Sequence, residues 1–407
     1  MSPGEPVSPA ANNYLDQRVA LALNSGSSTV KFAAFAEGRD SAIITGVASA
    51  LTTPGANLSW TSPTGSQSLA LPDADHRMVI EFLCRLLAEL GMNVAGIGHR
   101  VVHGGEAFAG ATLIDEIVIR RIEQLAPLAP LHNPANLLGI RLMTERFPSV
   151  PQVAVFDTAF HQTLPPKAFH YALPREFYEN HRVRRYGFHG TSHQHVGMEA
   201  ARRLNRDLAG LQLITVHLGN GCSACALRDG RSVDTTMGLT PAEGMMMGTR
   251  SGDVDPTLHQ FLARQTGLSL DEVTELLNRR GGLLGVSGFS NDRRLLEQRA
   301  AAGDERAALA LELFCFRAAK AILGMTASLE HVEALVFTGG IGENSPWVRR
   351  RIVGQTALLG IRLDAEANHR NGIDTNGRIS RSDSPVCLVV PTNEELAIAR
   401  EVWRLLG

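Results

Sequence analysis

Two widely separated segments of this chain repeat one pattern: a short apolar strand, a polar turn rich in glycine, and a returning strand. In the first, Val19 to Leu23 reads as a buried strand, Asn24-Ser25-Gly26-Ser27-Ser28 as a turn, and Thr29 to Phe35 as the return, with Lys31 near its start. In the second, Leu213 to His217 is the strand, Leu218-Gly219-Asn220-Gly221 the turn and Cys222 to Leu227 the return, followed by a turn at Asp229-Gly230. Amides and hydroxyls in such turns can face a phosphate. Either hairpin alone is common in ordinary sheets. Two of them opening two halves of one chain suggest a duplicated domain with phosphate between the halves.

The intervening sequence alternates strands and helices, which indicates an α/β protein. Met78 to Leu90 carries apolar residues at helical spacing, with Gly91 placed as its C-cap. Glu305 to Leu329 reads as a long helix, and Glu394 to Leu406 as a closing helix capped by Thr392 or Asn393. Val94 to Ile97, Gln152 to Phe156 and Ala334 to Phe337 read as short buried strands. At 407 residues the chain has room for two domains.

A net charge of −2 offers no electrostatic footprint for nucleic acid. The five cysteines are odd in number and scattered, against a disulfide framework. Cys222 and Cys225 form a C-x-x-C with no second pair or histidine at finger spacing, so they read as reduced thiols rather than a zinc site. Residues 1–17, rich in Pro, Ser, Ala and Asn, read as a disordered tail and not a secretory signal. With no apolar run long enough to span a bilayer, the expected compartment is the cytoplasm and no membrane partner is expected.

Several turns carry chemistry. Tyr186-Gly187-Phe188-His189-Gly190-Thr191-Ser192-His193 sets a histidine among glycines that let the backbone bend, beside hydroxyls able to bond phosphate oxygens. Met247-Gly248-Thr249-Arg250-Ser251-Gly252-Asp253 places an arginine in a similar setting. Gly98-His99-Arg100-Val101-Val102-His103-Gly104-Gly105 offers a second arginine at a strand end, whose planar fork suits a carboxylate or phosphate. Phe156-Asp157-Thr158 puts an acid at another strand end, where α/β crevices lie, although Asp157 would equally serve as a helix N-cap. Leu335 to Asn344 reads as a strand entering a glycine-rich turn that could hold adenine or phosphate on bare backbone. It is neither a Rossmann fingerprint nor a P-loop, and read alone it is equally a tight strand–helix junction.

Taken together, the segments GHRVVHGG, FDTAFHQT, YGFHGTSH, MMMGTRSGD, TGGIGEN and PTNEEL, in this order and spacing between Val19 and about Arg400, resemble the acetokinase family of short-chain carboxylate kinases. The resemblance implies the duplicated actin-like ATPase fold of the sugar kinase and Hsp70 superfamily, with the active site in the cleft between two domains. It implies a first domain of residues 18–157 and 394–407, and a second of 158–393 that binds nucleotide and forms a homodimer. It further implies reversible, Mg²⁺-dependent transfer of the ATP γ-phosphoryl group to acetate, giving acetyl phosphate and ADP, with Mn²⁺ able to substitute.

By the same resemblance, Arg100 and Arg250 flank the acceptor and the transferred group, and His189 bonds its oxygens. Asp157 orients Arg250 or the acceptor. Val102, Leu131, Phe188 and Pro241 line the pocket for the acid's methyl group. Lys31, His217, Leu218, Gly219, Asn220 and Gly221 face ATP phosphates, and Asp292, Arg294, Gly340, Ile341, Gly342, Glu343 and Asn344 lie near the adenine. Glu394 and Asn24 serve the metal. Ala242 stands where a larger apolar residue is expected, which bears on pocket width. A carboxylate acceptor is already ionised at neutral pH and needs no general base, so cationic donors should dominate the site. The competing readings are a propionate kinase of the same family and a nucleotide-switched binding protein of the actin or Hsp70 type. A sugar kinase is disfavoured, because its hydroxyl acceptor would need a base.

Overall fold

The computed structural model describes residues 17–407, so the tail expected over 1–17 lies outside the described residues except at its last position. The described residues divide into two compact units, the first running up to Ala159 and including Asn393–Gly407, the second Phe160–Thr392.

The sheet of the first unit contains β1 (Arg18–Ser25), β2 (Val30–Ala36), β3 (Ala42–Ser49), β4 (Asn57–Ser62), β5 (Gly65–Ala70), β6 (Asn93–Val101), β7 (Thr112–Leu113) and β8 (Gln152–Phe156), in the order β5-β4-β3-β2-β1-β6-β8-β7. The sheet of the second contains β9 (Gln212–Leu218), β10 (Cys222–Arg228), β11 (Arg231–Thr235), β12 (Ala334–Thr338) and β13 (Val386–Val389), in the order β11-β10-β9-β12-β13. In the first unit β3, β2 and β1 are antiparallel neighbours, and β1, β6 and β8 run parallel. In the second, β11, β10 and β9 are antiparallel and β9, β12 and β13 parallel. The same five-strand order and sense therefore occur twice, as the repeated hairpins suggested, and this is the duplicated actin-like ATPase fold.

Alternation along β1 sorts residues by size. Val19, Leu21 and Leu23 face a core shared with the helices His76–Glu89 and Asn133–Arg146. Ala20 and Ala22 face the terminal helix Glu394–Leu406 through Leu396, Ile398, Ala399 and Val402. That helix lies so close that a Cβ on Gly96 would meet Val402 Cγ1 at 2.6 Å, and one on Gly98 would overlap Ile398. Gly98 therefore sits inside β6 to admit a helix. The strand expected to end at Ile97 continues through Arg100 to Val101.

Other boundaries also move. β1 extends through Asn24 and Ser25, which pair with Lys31 and Val30, because the ladder continues until Gly26 turns the chain. The long helix runs Glu305–Met325 and finishes in a 3₁₀ turn at Thr326–Ser328. The helix His76–Glu89 begins two residues earlier than Met78 because Asp75 accepts the Met78 N–H as its N-cap.

Candidate active site

In the first unit Arg100, near the end of β6, is gripped by Asp157 just after the parallel strand β8. Its Nε donates to Oδ1 at 2.9 Å and its Nη2 to Oδ2 at 2.6 Å, while Nη1 reaches Asn24 Oδ1 at 3.4 Å. Burial opposes the arginine's charge, but the carboxylates of Asp157 and Glu394 more than offset it and keep it charged. Burial also pushes the Asp157 carboxyl up, against the pull of Arg100. Asp157 is expected from the family resemblance to orient Arg250 or the acceptor; within its own unit the aspartate fixes Arg100. The segment after Arg100 is held by two buried asparagines, Asn136 accepting the Val102 N–H at 3.0 Å and Asn133 the His103 N–H at 3.1 Å. Val102 is almost fully buried and Leu131 half-exposed. Lys31, Asn393 and Glu395 line a cavity of about 430 Å³ beside the outer strands.

In the second unit the helix Gly190–Arg203 begins at His189. The bend expected of Gly187 and Gly190 falls on Gly187, at φ +76°, and on His189 itself, at φ +56°. A Cβ on Gly187 would meet Thr235 and His161, so glycine is required there. His189 holds a left-handed conformation uncommon for any residue but glycine, a form of local strain found at functional sites. Its ring stacks on His217 of β9 at 4.3 Å between centroids, and its Nδ1 lies 2.8 Å from Ser223 Oγ. Ser192, expected to offer its hydroxyl to phosphate, is buried one turn away, where its Oγ shares hydrogen bonds with His217 Nδ1 and Thr392 Oγ1, both at 2.9 Å.

Arg250 donates to the carbonyl of Pro241 at 3.1 Å. The loop carrying Pro241 is tied down by Glu243, which receives Tyr171 and Arg185, while Arg185 also donates to the carbonyls of Thr235, Thr236 and Met237. Gly221, in the turn between β9 and β10, brings these elements together. A Cβ there would lie 3.3 Å from His189 Nε2 and 3.5 Å from Arg250 Nη1. The bare face of the turn thus looks toward one imidazole and one guanidinium. Phe188, beside His189, is buried, and Pro241 is partly exposed.

A cavity of about 390 Å³ is lined by Gly219, Asn220, Asn291, Asp292, Arg293, Arg294, Gly340 and Ile341. Three segments named separately from the sequence meet there. The glycine-rich stretch after β12 is a short helix, Gly339–Asn344, rather than an open turn. Gly339 adopts φ +77°, and a Cβ there would also strike the Leu218 carbonyl at 2.7 Å, whereas Gly340 faces open space. Two residues named as nucleotide contacts have other work. The Leu218 side chain is buried in the core. The Glu343 carboxylate turns inward to accept N–H bonds from Gly339 at 2.9 Å and Thr392 at 3.0 Å. Arg349, fully buried, donates to the carbonyls of Gly342 and Glu343 and holds the far end of the same short helix. Asp292 caps the helix Arg293–Ala301 and pairs with the exposed Arg294. Asn291, which no sequence motif singles out, donates to Asn220 Oδ1 at 3.0 Å.

The acetokinase family model matches residues 19–400. The chain belongs to the acetokinase family. An acetate kinase of Ectopseudomonas mendocina is 48% identical over 96% of this chain and 100% of its own length, and one of Deinococcus radiodurans is 50% identical over 95% and 98%. Among family members of known structure, a propionate kinase from Francisella tularensis superposes with a TM-score of 0.91 at 41% identity, covering 95% of this chain and 99% of its own. Porphyromonas gingivalis acetate kinase gives 0.88 at 40% identity, covering 96% and 100%. Among the described residues of this family member no helix is long and apolar enough to cross a membrane.

Proposed function

We propose that this protein is an acetate kinase that transfers the γ-phosphoryl group of ATP directly to acetate, giving acetyl phosphate and ADP, and runs the reaction in both directions. The observation that carries this reading is the approach of His189 Nε2 and Arg250 Nη1 to the bare face of Gly221 in a phosphate-type hairpin turn. Two positively disposed donors aimed at one turn suit a transferring group whose charge is spread over its equatorial oxygens.

In the step, a carboxylate oxygen of acetate attacks the γ-phosphorus while the bond to the β–γ bridging oxygen breaks, and the electron pair leaves with ADP. No proton need move, because the nucleophile is already an anion. Arg100, oriented by Asp157, offsets the repulsion between the acceptor carboxylate and the phosphates. His189 and Arg250 hydrogen-bond the oxygens of the transferring group. Asn220 and Gly221 present the β9–β10 turn to the phosphates, His217 is aligned by Ser192, and Gly340 and Ile341 offer open backbone to the adenine. Val102, Leu131, Phe188 and Pro241 would enclose the methyl group.

The residues present fit Mg²⁺. The ion takes hard oxygen ligands and keeps several waters, so one carboxylate and one amide oxygen suffice beside substrate phosphates. Glu394, whose field reaches both Arg100 and Asp157, and Asn24, bonded to Arg100, would hold it. Bound there, the ion would supply charge neutralisation on phosphate oxygens.

A cytoplasmic enzyme is supported by five free cysteines, four of them buried. A homodimer through the second unit is supported by exposed Phe261, Leu270, Leu309 and Phe316. The similarity to a propionate kinase favours propionate as the second reading for the acceptor. The bulk of Val102 favours the shorter acid. One assay separates them: ATP- and Mg²⁺-dependent acyl phosphate formation, trapped as hydroxamate, from acetate, propionate and butyrate. Acetate should give the highest kcat/KM. A higher value for propionate moves the substrate, and no acyl phosphate from any acid overturns the reading.

A further inference from the structure

A chain of hydrogen bonds runs inward from His189. Ser223 Oγ lies 2.8 Å from His189 Nδ1 and 2.8 Å from Nε2 of His193, one helical turn further on. His193 Nδ1 lies 2.7 Å from Thr215 Oγ1, and Thr215 donates to the carbonyl of Cys225 at 3.5 Å. Ser223, His193 and Thr215 are completely buried.

Each hydroxyl carries one proton, and a carbonyl only accepts. With the Thr215 proton on Cys225, Thr215 accepts the Nδ1–H of His193. Nε2 of His193 is then an acceptor and takes the Ser223 proton. Ser223 can now only accept, and its donor is the Nδ1–H of His189. In this arrangement Nε2 of His189 bears a proton only when the ring is an imidazolium.

We propose that Ser223, His193 and Thr215 are positioning residues that hold His189 as an imidazolium, with Nδ1–H bonded to Ser223 and Nε2–H directed at the transferred phosphoryl group. The proposal rests on the reading that His189 touches that group. In the second unit the titratable and charged groups around His189 include His217 stacked on its ring, Arg250 across the Gly221 face, His193 behind Ser223, and the thiol of Cys222, which lies between Gly221 and Ser223 in the chain. Arg250 disfavours a second positive charge, which the inward chain and the arriving phosphate offset. Cys222 is neutral, its thiol pushed up to about 12 by burial. His193 cannot take the proton itself, because burial, with His161 and His217 nearby, drives it well below the usual histidine range.

The test is a ¹³C-histidine NMR titration of the full-length protein, with the His189 resonance assigned by its loss in His189→Asn. Hydrogen bonds to the charged form raise a histidine pKa. Ser223→Ala and the near-isosteric Thr215→Val should each lower the His189 pKa by about one unit. Ser223→Thr, which keeps the hydroxyl, should retain the wild-type value. The basic limb of kcat/KM should move with the NMR value in each variant. An unchanged pKa in both Ser223→Ala and Thr215→Val, or Ser223→Thr behaving like Ser223→Ala, overturns the proposal. Because the titration needs no turnover, it fails separately from the acyl phosphate assay.

Discussion

Asp157 holds Arg100 through both carboxylate oxygens, at 2.9 and 2.6 Å, and binds the ends of two parallel strands into one rigid presentation of the guanidinium. Removing either partner leaves a buried charge without its mate. Arg100→Ala should lower kcat by roughly 10³- to 10⁵-fold and destabilise the protein by about 3–5 kcal/mol. Asp157→Asn should cost less in rate. In a double-mutant cycle the two losses should be strongly non-additive. Additive effects in kcat and in urea stability would show that the pair does not act as a unit.

Gly221→Ala tests the convergence of His189 and Arg250. The added methyl would sit 3.3 Å from one and 3.5 Å from the other, close enough to occupy the approach of the γ-phosphate without entering a packed core. Melting temperature should change little and kcat should fall by about 10²-fold, as for a displacement of reacting groups by about 1 Å. A variant with wild-type kcat would separate this turn from the transferring group.

Glu343 links the helix after β12 to the segment leading into the terminal helix. Glu343→Ala removes the acceptor for the Gly339 and Thr392 N–H groups and should cost about 1–3 kcal/mol, with a raised KM for ATP. Glu343→Gln retains one acceptor oxygen and should be milder in both respects. Equal effects of Ala and Gln on stability and on KM would mean that charge, rather than these bonds, is what matters.

Acid should unfold the protein through its buried histidines. Burial lowers His99 and His161 to about 4, against ~6.5 in an unfolded chain. Between those values the unfolded state binds more protons than the native state, so stability is intact above about pH 6.5 and falls as pH drops toward 4. Each histidine should cost about 2 kcal/mol by pH 5. Urea midpoints at pH 7 and pH 5 measure the loss, and His99→Gln should reduce its dependence on pH.

The local pattern of the chain determined the two hairpins and the α/β class, because hydrophobic alternation and turn-forming glycines act over a few neighbours. Arg100, His189, Arg250 and the segment after β12 could each be named from their own short motifs. What those residues touch was decided only by the tertiary fold. Nothing near Gly98 in sequence announces that Ile398 will press against it, so a glycine in mid-strand reads as a strand end. Asp157 meets Arg100 because β6 and β8 are parallel neighbours, and Ser223 meets both His189 and His193 because the helix Gly190–Arg203 packs across β9, whose neighbour β10 carries Ser223. Only the fold brings the Thr392 N–H to the Glu343 carboxylate. Side-chain chemistry is a property of the residue, while a hydrogen-bond partner far along the chain is a property of the packing that pays the entropy of bringing the two together.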